Sequence, residues 1–147
     1  AIFWIQNHMQ DDLIREIFQN TKVFACVGAS MNPARPSYYV SEFLQHNGYR
    51  VIPINPGQAG KSWLGETVYA SFADIPEGIT IDTLDIFRRS DAVADVIKQA
   101  IIDLPDLKYI WTQLGVHSDQ GAAIAAQAGI KMVQNRCPKI EIPRLLG

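Results

Sequence analysis

Apolar residues along the chain group first as a helical stripe, then as short runs that alternate with further helical stripes. From Met9 to Asn20, Leu13, Ile14, Ile17 and Phe18 share one helix face, and Asp11 and Asp12 fall in the expected first turn. Thr21–Val27 is a short apolar run of the kind buried on both sides of a parallel sheet. A helix is predicted over Ser37–Asn47, with Val40, Phe43 and Leu44 inward and Gly48 closing it, and Tyr49–Ile54 is the second strand. Residues 58–78, punctuated by Gly60, Gly65, Pro76 and Gly78, read as a loop over the sheet edge with one short strand and one helical turn.

The alternation then resumes. Thr80–Phe87 is a strand, and Ser90 starts a helix striped by Val93, Val96, Ile97, Ala100 and Ile101. Leu107–Gln113 is a strand, Ser118 caps an alanine-rich helix through Ala128, and Ile130–Val133 is the last strand. Pro138–Leu146 reads as an apolar tail. The fold class is therefore α/β: a Rossmann-like, open, mostly parallel sheet of about five strands with helices on both faces. Residues 1–8 are an N-terminal extension whose native origin stays open, and 9–147 form a single domain.

Composition narrows the partners. A net charge of −2 over 147 residues speaks against nucleic acid or an anionic membrane, so any attraction for an anion is local. The two cysteines form no CxxC pair and the three histidines are scattered, so no metal site is expected and a reducing, cytoplasmic setting is the simplest. Cys26 reads as a small core residue.

In an open parallel sheet, ligands bind beyond the carboxyl ends of the strands. Those ends carry Gly28, Ala29, Ser30, Asn32, Pro33, Arg35 and Ser37 after the first strand, and Asn55 and Pro56 after the second. Phe87, Arg88 and Arg89 follow the third long strand, Gln113 and Gly115 the fourth, and Asn135, Arg136 and Cys137 the fifth. Strand, tight turn and helix N-terminus form a phosphate cradle. No paired carboxylates and no GxSxG motif are present, and His117 reads as a loop histidine that caps or bridges. A nicotinamide dinucleotide is disfavoured, because the turn holds one of three fingerprint glycines and Asn55-Pro56 stands where an acid should read the ribose.

The segments Gly28-Ala29-Ser30-x-Asn32-Pro33-x-Arg35-Pro36-Ser37, Gly48–Pro56, Asp85-x-Phe87-Arg88-Arg89, Trp111-x-Gln113-Leu114-Gly115-Val116 and Asn135-Arg136-Cys137 resemble the small CoA-binding protein family. That family is similar to the CoA-binding domain of the succinyl-CoA synthetase alpha subunit. The resemblance spans roughly residues 10–145 and implies a domain that binds coenzyme A at the carboxyl edge of its sheet. It places the phosphates over Gly28, Ala29 and Ser30 with Arg35 as a basic partner. It also implies that Asn55, Pro56, Phe87, Arg88 and the 113–115 loop line the adenosine and pantetheine path. The resemblance leads to the expectation that Pro56 and Phe87 pack against adenine or pantetheine.

The related synthetase takes its phosphorylated histidine from a second domain that these residues do not match. The leading expectation is thus a stand-alone CoA or acyl-CoA binding protein acting as carrier, sensor or regulatory module, without catalytic residues of its own. A small NAD(P)-linked oxidoreductase and an accessory subunit of a larger acyl-CoA ligase are the alternatives, and a homodimer is a further possible assembly. Cys137 is an inert loop thiol or, less favoured, a thiol that pairs with that of CoA.

Overall fold

The computed structural model describes residues 2–147. In chain order they form α1 (Ile2–Asn20), β1 (Val23–Val27), α2 (Pro36–His46), β2 (Arg50–Ile54), a hairpin of β3 (Ser62–Trp63) and β4 (Glu66–Thr67), and β5 (Thr83–Ile86). There follow α3 (Val93–Asp103), β6 (Tyr109–Thr112), α4 (Asp119–Gln127), β7 (Lys131–Val133) and α5 (Pro138–Leu145). The five long strands lie side by side in the order β2-β1-β5-β6-β7, every pair parallel. The chain moves outward from β1 to β2 and returns to β5 on the other side of β1. The switch in strand direction therefore falls between the ends of β1 and β5.

Side chains alternate across the sheet and bury both faces. Phe24, Cys26, Val51 and Trp111 meet Ile14, Ile17, Phe18, Val40, Leu44 and Ile142 of α1, α2 and α5. Ala25, Ile52, Leu84, Ile86 and Ile110 meet Val93, Ile97, Ala100 and Ala125 of α3 and α4. The alanine-rich α4 uses its small face against α3 as well as the sheet: a Cβ on Gly121 would stand 3.0 Å from Val93 Cγ1. At the amino edge Asp82 stitches the sheet, its Oδ2 accepting from the N–H groups of Lys22 (2.9 Å) and Val23 (3.0 Å).

Several expectations need correction at element ends. Each long strand is shorter than its apolar run: at the strand starts, Lys22 N–H goes to the Asp82 side chain, Tyr49 N–H to the Leu44 carbonyl of α2, and Ile130 N–H to the Ala125 carbonyl of α4. Of segment 1–8, Ala1 lies outside the described residues, and Ile2–His8 continue α1. Asp11 and Asp12 are consequently mid-helix, and Asp11 gains its place by pairing with Arg144 at 2.7 Å. The loop 58–78 holds the β3–β4 hairpin and a 3-10 turn at Phe72–Asp74. Residues expected as an apolar tail form α5, which starts at Pro138 in the first helical position, where no N–H is needed, and accommodates Pro143 inside. Its Glu141, only 3 % exposed, accepts from Arg136 (3.1 Å) and Arg144 (2.8 Å).

One buried group stands apart. Asp85, opposite Cys26 and Trp111 in the sheet, is 1 % exposed, and neither carboxyl oxygen has a hydrogen-bond partner. Burial pushes its pKa well above the ordinary 3.8. The folded protein thus binds this proton more tightly than the unfolded chain. The contribution of Asp85 to stability is fully present below pH 3.8 and is lost as pH rises from there through the folded-state value. Asp85→Asn removes the titration and keeps the shape. It is expected to raise Tm at pH 8 by roughly 3–8 °C, corresponding to about 1–2 kcal/mol, with the gain vanishing toward pH 4. Thermal melts at the two pH values check this, and an equal gain at both contradicts it.

Candidate functional site

The turn after β1 is shaped by how close it passes to β5. Gly28 has φ +87°, and a Cβ there would lie 2.5 Å from the Phe87 carbonyl oxygen and 3.2 Å from Arg88 Cδ. Only glycine suits both the left-handed backbone and the gap. Three neighbouring elements then hold the turn. The Ile54 carbonyl at the end of β2 accepts from Gly28 N–H (3.2 Å) and Ala29 N–H (3.4 Å), and Asn55 Nδ2 donates to the Ala29 carbonyl at 2.7 Å. Trp63 of the hairpin donates its indole N–H to the Ser30 carbonyl at 2.8 Å, and its buried ring meets the Tyr38 ring edge-on. From α2, Ser37 Oγ accepts from Ser30 N–H at 2.9 Å.

Beyond Ser30 the loop winds on its own side chains. Ser30 Oγ accepts from Asn32 N–H, Asn32 Oδ1 from Ala34 N–H, and the Asn32 carbonyl from Arg35 N–H. Arg35 is the N-cap of α2 without a side-chain cap; its carbonyl accepts from Tyr38 N–H (3.0 Å) and Tyr39 N–H (3.2 Å), and the first turn borders the cleft through Pro36 and Ser37.

Two cavities meet at Gly28, Ser30 and Arg88. The larger, about 890 Å³, runs from the turn to Asn55, Pro56 and Gln58 at the end of β2, with Phe72 on one wall and Asp95, Val96 and Gln99 of α3 on another. The smaller, about 430 Å³, lies between the N-terminus of α2 and the ends of β5 and β6, lined by Arg35, Ser37, Phe87, Arg88, Arg89 and Gln113. Among the described residues neither Arg35 nor Arg88 has an ion-pair partner, and Arg89 makes only an exposed contact with Asp91 at 3.4 Å. Three arginines therefore border one cleft with little local neutralisation. Gln113 is itself buried, and its Oε1 has no hydrogen-bond partner.

The structure brings Gly28, Ala29, Ser30, Asn32, Asn55, Pro56 and Arg88 to the larger cavity and Arg35, Ser37, Phe87, Arg89 and Gln113 to the smaller one. Pro33 and Gly115 line neither. Gly115 instead turns the backbone (φ +86°) and donates its N–H to Asn135 Oδ1 at 2.6 Å. His117 and Cys137 belong to a different depression, beside Asn135 and Arg136. His117 pairs with Asp119 at 3.7 Å, and Cys137 is a buried residue at the N-cap of α5. Burial and the adjacent Asp85 push the Cys26 thiol well up, in keeping with a packing role. No carboxylate stands at the end of β2, where Asn55 spends its Nδ2 on Ala29 and its Oδ1 on Gly57 N–H. Among the described residues no cluster suited to a metal ion occurs, and no helix is long and apolar enough to cross a membrane.

Residue-by-residue reading missed Trp63, Gln58 and the α3 wall. Trp63 is signalled only as a tryptophan inside a glycine-punctuated loop that follows a strand's carboxyl end. Asp95 and Gln99 are four apart, one helix turn that faces the cavity while the neighbouring apolar stripe faces the core.

Residues 22–143 match a family model described as a CoA binding domain. The chain is similar to the uncharacterised protein YneT of Bacillus subtilis, 32 % identical over 127 residues, covering 86 % of this chain and 90 % of that one. Among solved structures it resembles a hypothetical protein from Pyrococcus horikoshii at 36 % identity and TM-score 0.83, covering 93 % of this chain and 92 % of that chain. It also resembles the Thermus thermophilus protein ID.343 at 33 % identity and TM-score 0.83, covering 92 % and 98 %.

The close approach at Gly28 makes a prediction independent of any ligand. Gly28→Ala must shift the turn away from Phe87 and hold alanine at positive φ, an expected loss of about 2–5 kcal/mol. Urea unfolding measures it, and a loss below about 1 kcal/mol contradicts the described gap.

Proposed function

Since the chain belongs to the family of CoA binding domains, we propose that it binds coenzyme A or an acyl-CoA across the carboxyl edge of its sheet and acts as a carrier, sensor or regulatory module. The supporting observation is that Arg35, Arg88 and Arg89 border one cleft with the N-terminus of α2 at the Gly28 gap. In that reading the pyrophosphate sits over the turn, forked by Arg35 and Arg88. The two amides that share Ile54 at 3.2 and 3.4 Å are weakly held and open to competition from a phosphate oxygen.

The ribose follows the general placement beside the end of the second strand, which puts adenosine in the larger cavity against Pro56. Pantetheine then leaves through the smaller cleft past Phe87, where the unpartnered Gln113 Oε1 offers an acceptor for an amide N–H. Cys137 lies outside this path. The missing acid at the end of β2 weighs against an NAD(P)-linked oxidoreductase.

Calorimetric titration with CoA, NADH and NADPH tests the proposal. Micromolar CoA binding is expected, weakened about tenfold or more by Arg35→Ala through loss of a charge-assisted contact. Preference for NADPH with CoA inert overturns it.

A further inference from the structure

The backbone amides of the turn after β1 are nearly all spent within the protein. Gly28 and Ala29 N–H donate to the Ile54 carbonyl, Ser30 N–H to Ser37 Oγ and Asn32 N–H to Ser30 Oγ. Ala34 N–H donates to Asn32 Oδ1 and Arg35 N–H to the Asn32 carbonyl, while Pro33 has no N–H to give. Met31 is the exception: among the described residues its N–H has no acceptor.

That amide is aimed by the peptide it belongs to. Trp63 Nε1 draws the Ser30 carbonyl at 2.8 Å, and in a planar trans peptide the N–H that follows points the opposite way. Trp63 lies in the core on the α1 and α2 face of the sheet. Met31 also borders the larger cavity, where Val27, Phe72 and Val96 belong to the core on the α3 face. The Met31 N–H is therefore turned away from the hairpin and toward that cavity.

The hairpin is fixed firmly enough to do the aiming. Arg50 holds Glu66 by two hydrogen bonds of 2.7 and 3.0 Å, and Gln45 Nε2 of α2 donates to the Leu64 carbonyl at 2.8 Å. Leu64 between them stands at φ +49°, a left-handed conformation that a leucine keeps only where its surroundings dictate it. Trp63 is 2 % exposed.

Resting on the coenzyme A reading above, we propose that Trp63 is a positioning residue for the pyrophosphate, presenting Met31 N–H to a phosphate oxygen through its hold on the Ser30 carbonyl. The indole itself does not touch the ligand. Unlike the Gly28 and Ala29 amides, the Met31 amide gives up no existing bond when a phosphate arrives.

Amide exchange rates measured by NMR on the unaltered protein, with and without coenzyme A, decide it. Met31 N–H is expected to exchange freely without ligand and to slow about tenfold or more on binding, the scale of one hydrogen bond to a charged oxygen. The Trp63 indole N–H is expected to exchange slowly in both states. Trp63→Phe keeps a ring against Tyr38 and removes the donor; it is expected to weaken coenzyme A about three- to tenfold and to abolish the slowing at Met31. Loss of packing alone would not single out that one amide. Coenzyme A binding that leaves Met31 exchange unchanged overturns the inference and leaves the coenzyme A reading standing. So does a Trp63 indole that exchanges freely, or a Trp63→Phe protein that binds coenzyme A and slows Met31 as the unaltered protein does. Absence of coenzyme A binding overturns the coenzyme A reading, and the inference with it.

Discussion

The chain leaves β1 through a gap between two strand ends that has no room for a side chain. At Gly28 the backbone turns into the left-handed region, and the carbonyl of Phe87 stands where a Cβ would go. Everything at the carboxyl edge is built around that passage. Because β1 and β5 are parallel neighbours at the strand-order switch, their departing chains diverge there, one toward α2 and one toward α3. The resulting crevice is shaped before any ligand arrives. β2 holds the turn through the Ile54 carbonyl and Asn55, the hairpin through Trp63, and α2 through Ser37. Ordering a loop on binding costs affinity, and this loop is already ordered.

The two edges of the sheet are treated differently. The amino edge is stitched by Asp82 to Lys22 and Val23, and Lys108 pairs with the same carboxylate at 3.7 Å. On the flank of the sheet, Glu141 and Asp11 absorb Arg144, Glu141 also takes Arg136, and Glu16 takes Lys131. Arg35 and Arg88 at the carboxyl edge receive no such partner among the described residues. In a protein of net charge −2, that leaves a local positive field where the helix end of α2 adds to it.

Most of the fold was legible because each long strand is a short apolar run between helical stripes, and because Gly48, Ser118 and Gly129 mark real helix ends. Ser118 does accept from Gly121 N–H, as its position predicted. The strand-end residues were readable for the same reason, since parallel topology places them on one edge. Less legible were features set by tertiary contact. The hairpin is two residues a side and has no periodicity to detect, yet its Trp63 anchors the turn after β1. Residues 138–145 contain two prolines and a charged middle, and become a helix through packing on α1 and α2 and the Glu141 ion pairs. Cys137 follows a strand end in sequence, but the start of α5 turns it into a separate depression.

In the proposed function, the chain meets coenzyme A at the carboxyl edge, at the Gly28 gap. Amide chemical-shift mapping on the labelled protein during titration with coenzyme A tests it most directly. The shifted amides are expected to cluster at Gly28, Ala29, Ser30 and Arg35, at Gln58, and at Arg88 and Gln113, while Lys22, Asp82 and Lys108 at the amino edge stay still. Shifts concentrated at the amino edge, or around His117 and Cys137 with the Gly28 turn silent, would contradict it.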